Sequence, residues 1–127
     1  MKKPEPVDTY RAVLGEGPFW DAAAGKVWWI DGLSEYGKGD DLRLFDPASN
    51  ENKAWHIGKH IGCAVPATDG RILLNLQDGI YLFDVQTAKM ERINSVEHEI
   101  KNNRLNDGKC DSHGRLWFGS MSMTANQ

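Results

Sequence analysis

Cysteine is nearly absent from this chain of 127 residues: Cys63 and Cys110 stand far apart, so no disulfide framework holds the fold. They are read as two free, buried thiols, which fits a reducing, cytoplasmic setting. No apolar run is long enough to span a membrane as a helix. Met1-Lys2-Lys3 is basic, but Pro4-Glu5-Pro6-Val7-Asp8 follows where a signal peptide needs its apolar core. Positive charge is not in excess either. A net charge of -3 argues against a nucleic-acid surface, because neutralising phosphates takes a basic surplus. Lys101, Arg104 and Lys109 form a local cluster only. Long periodic runs of Ala, Leu, Glu and Lys are also missing, while thirteen Gly and five Trp point to strands and turns.

What is present is a repeat. Gly25-Lys26-Val27, Gly70-Arg71-Ile72 and Gly114-Arg115-Leu116 each lead a short apolar run, at spacings of 45 and 44 residues. Such a period built from short strands is the spacing of propeller blades. Leu42-Arg43-Leu44-Phe45-Asp46 returns as Ile80-Tyr81-Leu82-Phe83-Asp84, 38 residues later. The difference predicts an insertion of seven residues in the first unit, over residues 34–41. Both Phe-Asp pairs lead into turns, and outer strands are expected at 53–57 and 89–93. Inner strands are expected to hold Glu16 to Trp20, Ile61 to Ala67 and Leu105 to Asp111. The fold class is therefore all-β, with blades at roughly 14–58 and 59–100 and an incomplete one at 101–127.

Two polar stretches fall at like positions in this repeat. Leu14-Gly15-Glu16-Gly17-Pro18-Phe19-Trp20-Asp21 opens the first unit; Lys101-Asn102-Asn103-Arg104-Leu105-Asn106-Asp107-Gly108-Lys109 opens the third. Asp107-Gly108 and His113-Gly114 are turn signals, which places the polar residues of 101–114 on short bends and innermost strand ends rather than on a helix. Taken alone, Glu16 also fits a surface carboxylate in a Gly-rich turn, Arg104 a rim charge and Asn106 a turn former. Asp107 is read as fixing a turn with Gly108.

Together the two stretches resemble the SMP-30/gluconolactonase family, also called the regucalcin family. Its members carry Gly-Glu-x-Pro-x-Trp and Asn-Arg-x-Asn-Asp-Gly-Lys-x-Asp-x-x-Gly-Arg at about this separation. The resemblance implies a six-bladed β-propeller, of which this chain would form about two and a half blades. It implies metal-dependent hydrolysis of sugar lactones such as gluconolactone, with Glu16 matching the first metal ligand and Arg104 and Asn106 matching substrate-binding residues. The remaining metal ligands, an Asn and an Asp, and the catalytic base Asp would lie beyond Gln127, so no catalytic residue is expected within the chain. An oxygen-donor set does not choose among calcium, manganese, magnesium and zinc. Ser112 and Ser120 replace Pro and Thr of the family pattern, and Ser122-Met123-Thr124 lacks an acid that some relatives carry, which leaves the preferred lactone open. A calcium-binding or partner-binding propeller without turnover is the alternative. By itself the chain is expected to be inactive and to self-associate through its open edge, where Trp117 and Phe118 lie.

Other candidates are weaker. His56 and His60 are four residues apart, roughly 13 Å along a strand, too far to share an ion. Asp31, Glu35, Asp40 and Asp41 lack the alternating acids and central Gly of a calcium loop, and are read as a solvated loop. Trp28, Trp29, Trp55 and Trp117 are assigned to packing between blades.

Overall fold

The computed structural model describes residues 1–124. They form ten antiparallel strands, and no helix occurs among the described residues. The first sheet is a meander of β1 (Gly15–Asp21), β2 (Lys26–Glu35), β3 (Lys38–Asp46) and β4 (Glu51–His56). The second repeats it with β5 (Ile61–Pro66), β6 (Ile72–Leu76), β7 (Gly79–Asp84) and β8 (Lys89–Asn94). A two-stranded sheet follows, β9 (Asn103–Cys110) with β10 (Leu116–Ser122).

Aspartates at strand ends make the turns. Asp46 accepts the Ala48 amide at 2.9 Å, Asp84 the Gln86 amide at 2.8 Å and Asp111 the His113 amide at 2.8 Å. Each bond supplies locally the acceptor that a tight turn needs, which is why Asp recurs there. Between the first two sheets lies the core. Side chains at alternating positions, Trp28 and Ile30 on β2 and Leu42 and Leu44 on β3, meet Leu74 and Leu76 on β6 and Tyr81 and Phe83 on β7. Burying each large apolar side chain contributes about 1.5–3 kcal/mol, so this interface is what holds one sheet to the next. Trp28 and Trp55 pack at 5.7 Å between ring centroids, and the Trp55 indole donates to the Val85 carbonyl across the interface at 3.1 Å. Trp29 packs instead against Tyr10 of the N-terminal segment, and Trp117 is 65% exposed, so neither serves sheet-to-sheet packing within the chain. The outer strands β4 and β8 are exposed nearly throughout.

Three expectations are corrected. Residues 34–41 are no solvated loop: β2 and β3 run on into a hairpin, with Glu35 opposite Lys38. Tyr36 and Gly37 turn it with φ of 52° and 75°, the two positive values of the hairpin turn whose twist matches that of its strands. Asp31 and Asp40 are buried rather than solvated. Asp107-Gly108 is not a turn but part of β9. Of the two thiols, Cys63 is buried and Cys110 exposed.

Candidate functional site

Every inner strand is irregular at the same place. In β1 the register passes from Glu16↔Ile30 to Phe19↔Trp28, so Gly17 and Pro18 oppose Trp29 alone. In β9 it passes from Leu105↔Ser120 to Gly108↔Phe118, so Asn106 and Asp107 oppose Gly119 alone. In β5 it steps from Ile61↔Leu76 to Cys63↔Asn75, which leaves Gly62 as the extra residue. Two residues against one make a β-bulge, a device that bends a strand and re-aims a side chain. The polar residues that looked like turn formers sit on these bulges or immediately beside them.

Glycines let the bulged strands close on one another. A Cβ on Gly32 would lie 2.6 Å from the Ile61 carbonyl oxygen and 3.3 Å from Glu16 Oε1. One on Gly62 would lie 2.5 Å from the Leu105 oxygen, 2.6 Å from the Asn106 oxygen and 2.7 Å from the Asn106 Cα. Contacts under 3.0 Å are sterically forbidden, so only Gly fits either position. Glu16 and Asn106, 90 positions apart in sequence, are thereby brought to either side of the Ile61-Gly62 step. Sequence reasoning missed both glycines, because nothing local distinguishes a glycine of close approach from one in a turn.

Several buried polar atoms here have no partner among the described residues. Glu16 Oε1 is buried and accepts no hydrogen bond from any described residue. Arg104 is 6% exposed, and its Nη1 donates to the Leu105 carbonyl and to Asn106 Oδ1, both at 3.3 Å. Among the described residues this guanidinium meets no carboxylate, whereas Arg43, Arg71 and Arg115 each do. A buried cation without a counter-ion is unfavourable unless polar acceptors reach it. Two further orphans lie nearby in sequence or sheet order. Asn103 Oδ1 is buried without a partner, and Asn75 on β6, completely buried, has both amide atoms unpaired among the described residues. Asn75 was not singled out from sequence, since an Asn in an apolar strand carries no motif. Asp107 is exposed and accepts the Gly108 amide at 2.8 Å.

Further along the inner strands, Gly17, Pro18, Cys63, Asp107 and Cys110 border a cavity of about 250 Å³. Burial pushes the Cys63 thiol up to about 12. His56 and His60 turn to separate carboxylates, Nδ1 to Asp41 at 3.1 Å and to Asp40 at 2.9 Å. No group of three or more His, Cys, Asp or Glu able to hold a metal ion is assembled among the described residues.

Two four-stranded meanders and a third, two-stranded sheet, with the Glu16 carboxylate next to the bulge of β1 and the buried Arg104 guanidinium two residues before that of β9, define part of a β-propeller whose polar groups gather at one end of its inner strands. Residues 14–127 match the SMP-30/Gluconolactonase/LRE-like region, and the chain belongs to that family. It is 33% identical over 117 residues to YvrE of Bacillus subtilis, assigned as a sugar lactone lactonase, covering 92% of this chain and 38% of that protein. It is 30% identical to the 6-deoxy-6-sulfogluconolactonase of Pseudomonas putida, covering 87% of this chain and 36% of the relative. The crystal structure of a calcium-binding regucalcin from Agrobacterium tumefaciens superposes with a TM-score of 0.85 at 28% identity, over 94% of this chain and 39% of that one. The chain thus spans under two fifths of the length of these relatives.

Proposed function

We propose that this chain supplies one wall of the active site of a metal-dependent sugar-lactone hydrolase, its three sheets being blades at about 14–58, 59–100 and 101–127. The observation that carries this reading is the buried Arg104 guanidinium, which faces no carboxylate among the described residues. In a family whose named members include sugar lactonases, the missing acceptors are the hydroxyl and ester oxygens of a lactone. Arg104 presents a planar fork of donors, two of whose bonds are already committed to fixing Leu105 and Asn106. Its remaining donors and the Asn106 amide hold the ring in one orientation, which removes rotational freedom before reaction.

Glu16 fits a divalent metal ion, because its buried Oε1 has no donor among the described residues and an oxygen ligand suits a hard cation. When bound, such an ion supplies a Lewis acid for a carbonyl oxygen. A single carboxylate is a weak ligand in water, so further ligands and the general base are assigned to parts of the protein outside this chain. Calcium, zinc, manganese and magnesium all suit this donor.

Calcium binding without turnover is the second reading, favoured by the calcium-binding regucalcin among the structural neighbours. The deciding experiment is lactone hydrolysis by the full-length protein during a metal titration, alongside Glu16→Gln and Arg104→Ala. Glu16→Gln should lower activity by orders of magnitude with partial recovery at high metal, and Arg104→Ala should mainly raise KM. Absence of turnover with intact calcium affinity establishes the second reading, and wild-type activity in Glu16→Gln overturns the role of Glu16. The 127-residue chain alone should not turn over lactones. Exposed Trp117, Phe118 and Met121 on β10, an edge strand unpaired on its far side among the described residues, should make it self-associate.

A further inference from the structure

Asp31 lies on β2 directly opposite Gly15, the residue before Glu16, and is completely inaccessible to solvent. Its carboxylate is saturated by the segment that leads into β1. Oδ2 accepts the Tyr10 hydroxyl at 2.7 Å and the Val13 amide at 3.1 Å, while Oδ1 accepts the Leu14 amide at 2.7 Å. The Gly32 amide completes the clasp by donating to the Leu14 carbonyl at 2.9 Å, so Leu14 is held at both its backbone groups. Tyr10 is itself immobilised, with the Arg43 guanidinium 3.4 Å from its ring centroid and Trp29 at 6.3 Å between centroids. None of these bonds lies in the sheet ladder. They fix the path of residues 10–14, and with it the direction from which Glu16 enters the bulge.

Across the same strand pair, the absent side chain of Gly32 leaves the space beside Glu16 Oε1. Asp31 and Gly32 therefore act on Glu16 from behind, one by tethering its approach and the other by making room. We propose that Asp31 is a positioning residue that holds Glu16 in its metal-ligating orientation through the Tyr10–Leu14 tether, independently of the Arg104–Asn106 wall. The proposal rests on the reading of Glu16 as a metal ligand. It separates two jobs within the site: metal affinity answers to the tether, and lactone binding does not.

The test is calcium titrated calorimetrically into the metal-stripped full-length protein, with lactone KM measured at saturating metal. Asp31→Asn retains the shape but turns one acceptor into a donor, which faces either the Leu14 amide or the Val13 amide and Tyr10 hydroxyl together. A charge-assisted bond lost this way should weaken calcium binding about tenfold, and Tyr10→Phe about threefold, with KM within about twofold of wild type in both. Asn106→Ala should do the reverse, raising KM while calcium affinity holds. A merely structural Asp31 would lower the melting temperature and leave the calcium affinity of the folded protein unchanged, and that result overturns the proposal. Should Asp31→Asn fail to fold, Tyr10→Phe decides: unchanged calcium affinity refutes the tether. If Glu16→Gln binds calcium like wild type, the metal-ligand reading falls and the inference with it. If Glu16→Gln loses calcium while Asp31→Asn and Tyr10→Phe keep it, the inference alone falls.

Discussion

Gly62→Ala tests how closely the inner strands must approach. The added Cβ would sit 2.5–2.7 Å from three backbone atoms of β9, where ordinary contact begins at 3.4 Å, so β5 and β9 must part by about 0.9 Å. Flexible side chains could yield to such a clash, but a bulged backbone pinned by its own ladder cannot. The destabilisation belongs at the upper end of the overpacking range, about 3 kcal/mol. With an m-value of about 1.5 kcal/mol per molar urea, the unfolding midpoint should fall by about 2 M. Activity should suffer more than stability under conditions where the protein stays folded, because a displacement near 1 Å at Asn106 is enough to lose about a hundredfold in rate. Gly119→Ala is the internal control: it lies opposite the β9 bulge, yet no described residue stands within 4 Å of its Cβ position. It should stay within about 0.5 kcal/mol of wild type. Urea unfolding followed by Trp fluorescence, with steady-state kinetics on the full-length protein, reads both effects. A Gly62→Ala protein as stable as Gly119→Ala, with unchanged kinetics, would refute the close-approach argument.

Leu74, fully buried between the first two sheets, should lose about 2–5 kcal/mol on truncation to Ala, measured by the same urea titration. A thiol reagent at pH 8 should label exposed Cys110 and spare Cys63, whose thiol burial holds near 12, until denaturant is added; mass spectrometry of the labelled peptides reads the difference. Asp111 is held down to about 2 by the Trp117 indole donor, then by the Arg115 amide and guanidinium and the His113 amide. Its contribution is complete above its ordinary value of 3.8 and is lost as the pH falls towards 2, so the melting temperature of Asp111→Asn should show a shallower acid limb than wild type.

The strands, the blade-like repeat and the turns were legible in the sequence because their causes are local. Period-two alternation buries Ile30, Leu42 and Leu74 wherever the strands lie, and an Asp at a strand end accepts an amide two residues on. The family was legible too, from two gapped motifs around Glu16 and Arg104. What the sequence could not show depends on backbones meeting across long separations. Gly32 and Gly62 matter because Ile61 and Asn106 come within the reach of a single absent methyl group. Asp107-Gly108 has a turn former's composition, yet pairing with β10 draws it into a bulged strand. Asp31 carries no mark separating it from the acids that follow it; burial opposite Gly15, with three donors arriving from residues 10–14, is decided only when the N-terminal segment folds back over the first sheet. Composition and periodicity act within a strand and its turn, whereas the orientation of Glu16 and the exclusion of every side chain at Gly62 are steric outcomes of the packed sheets.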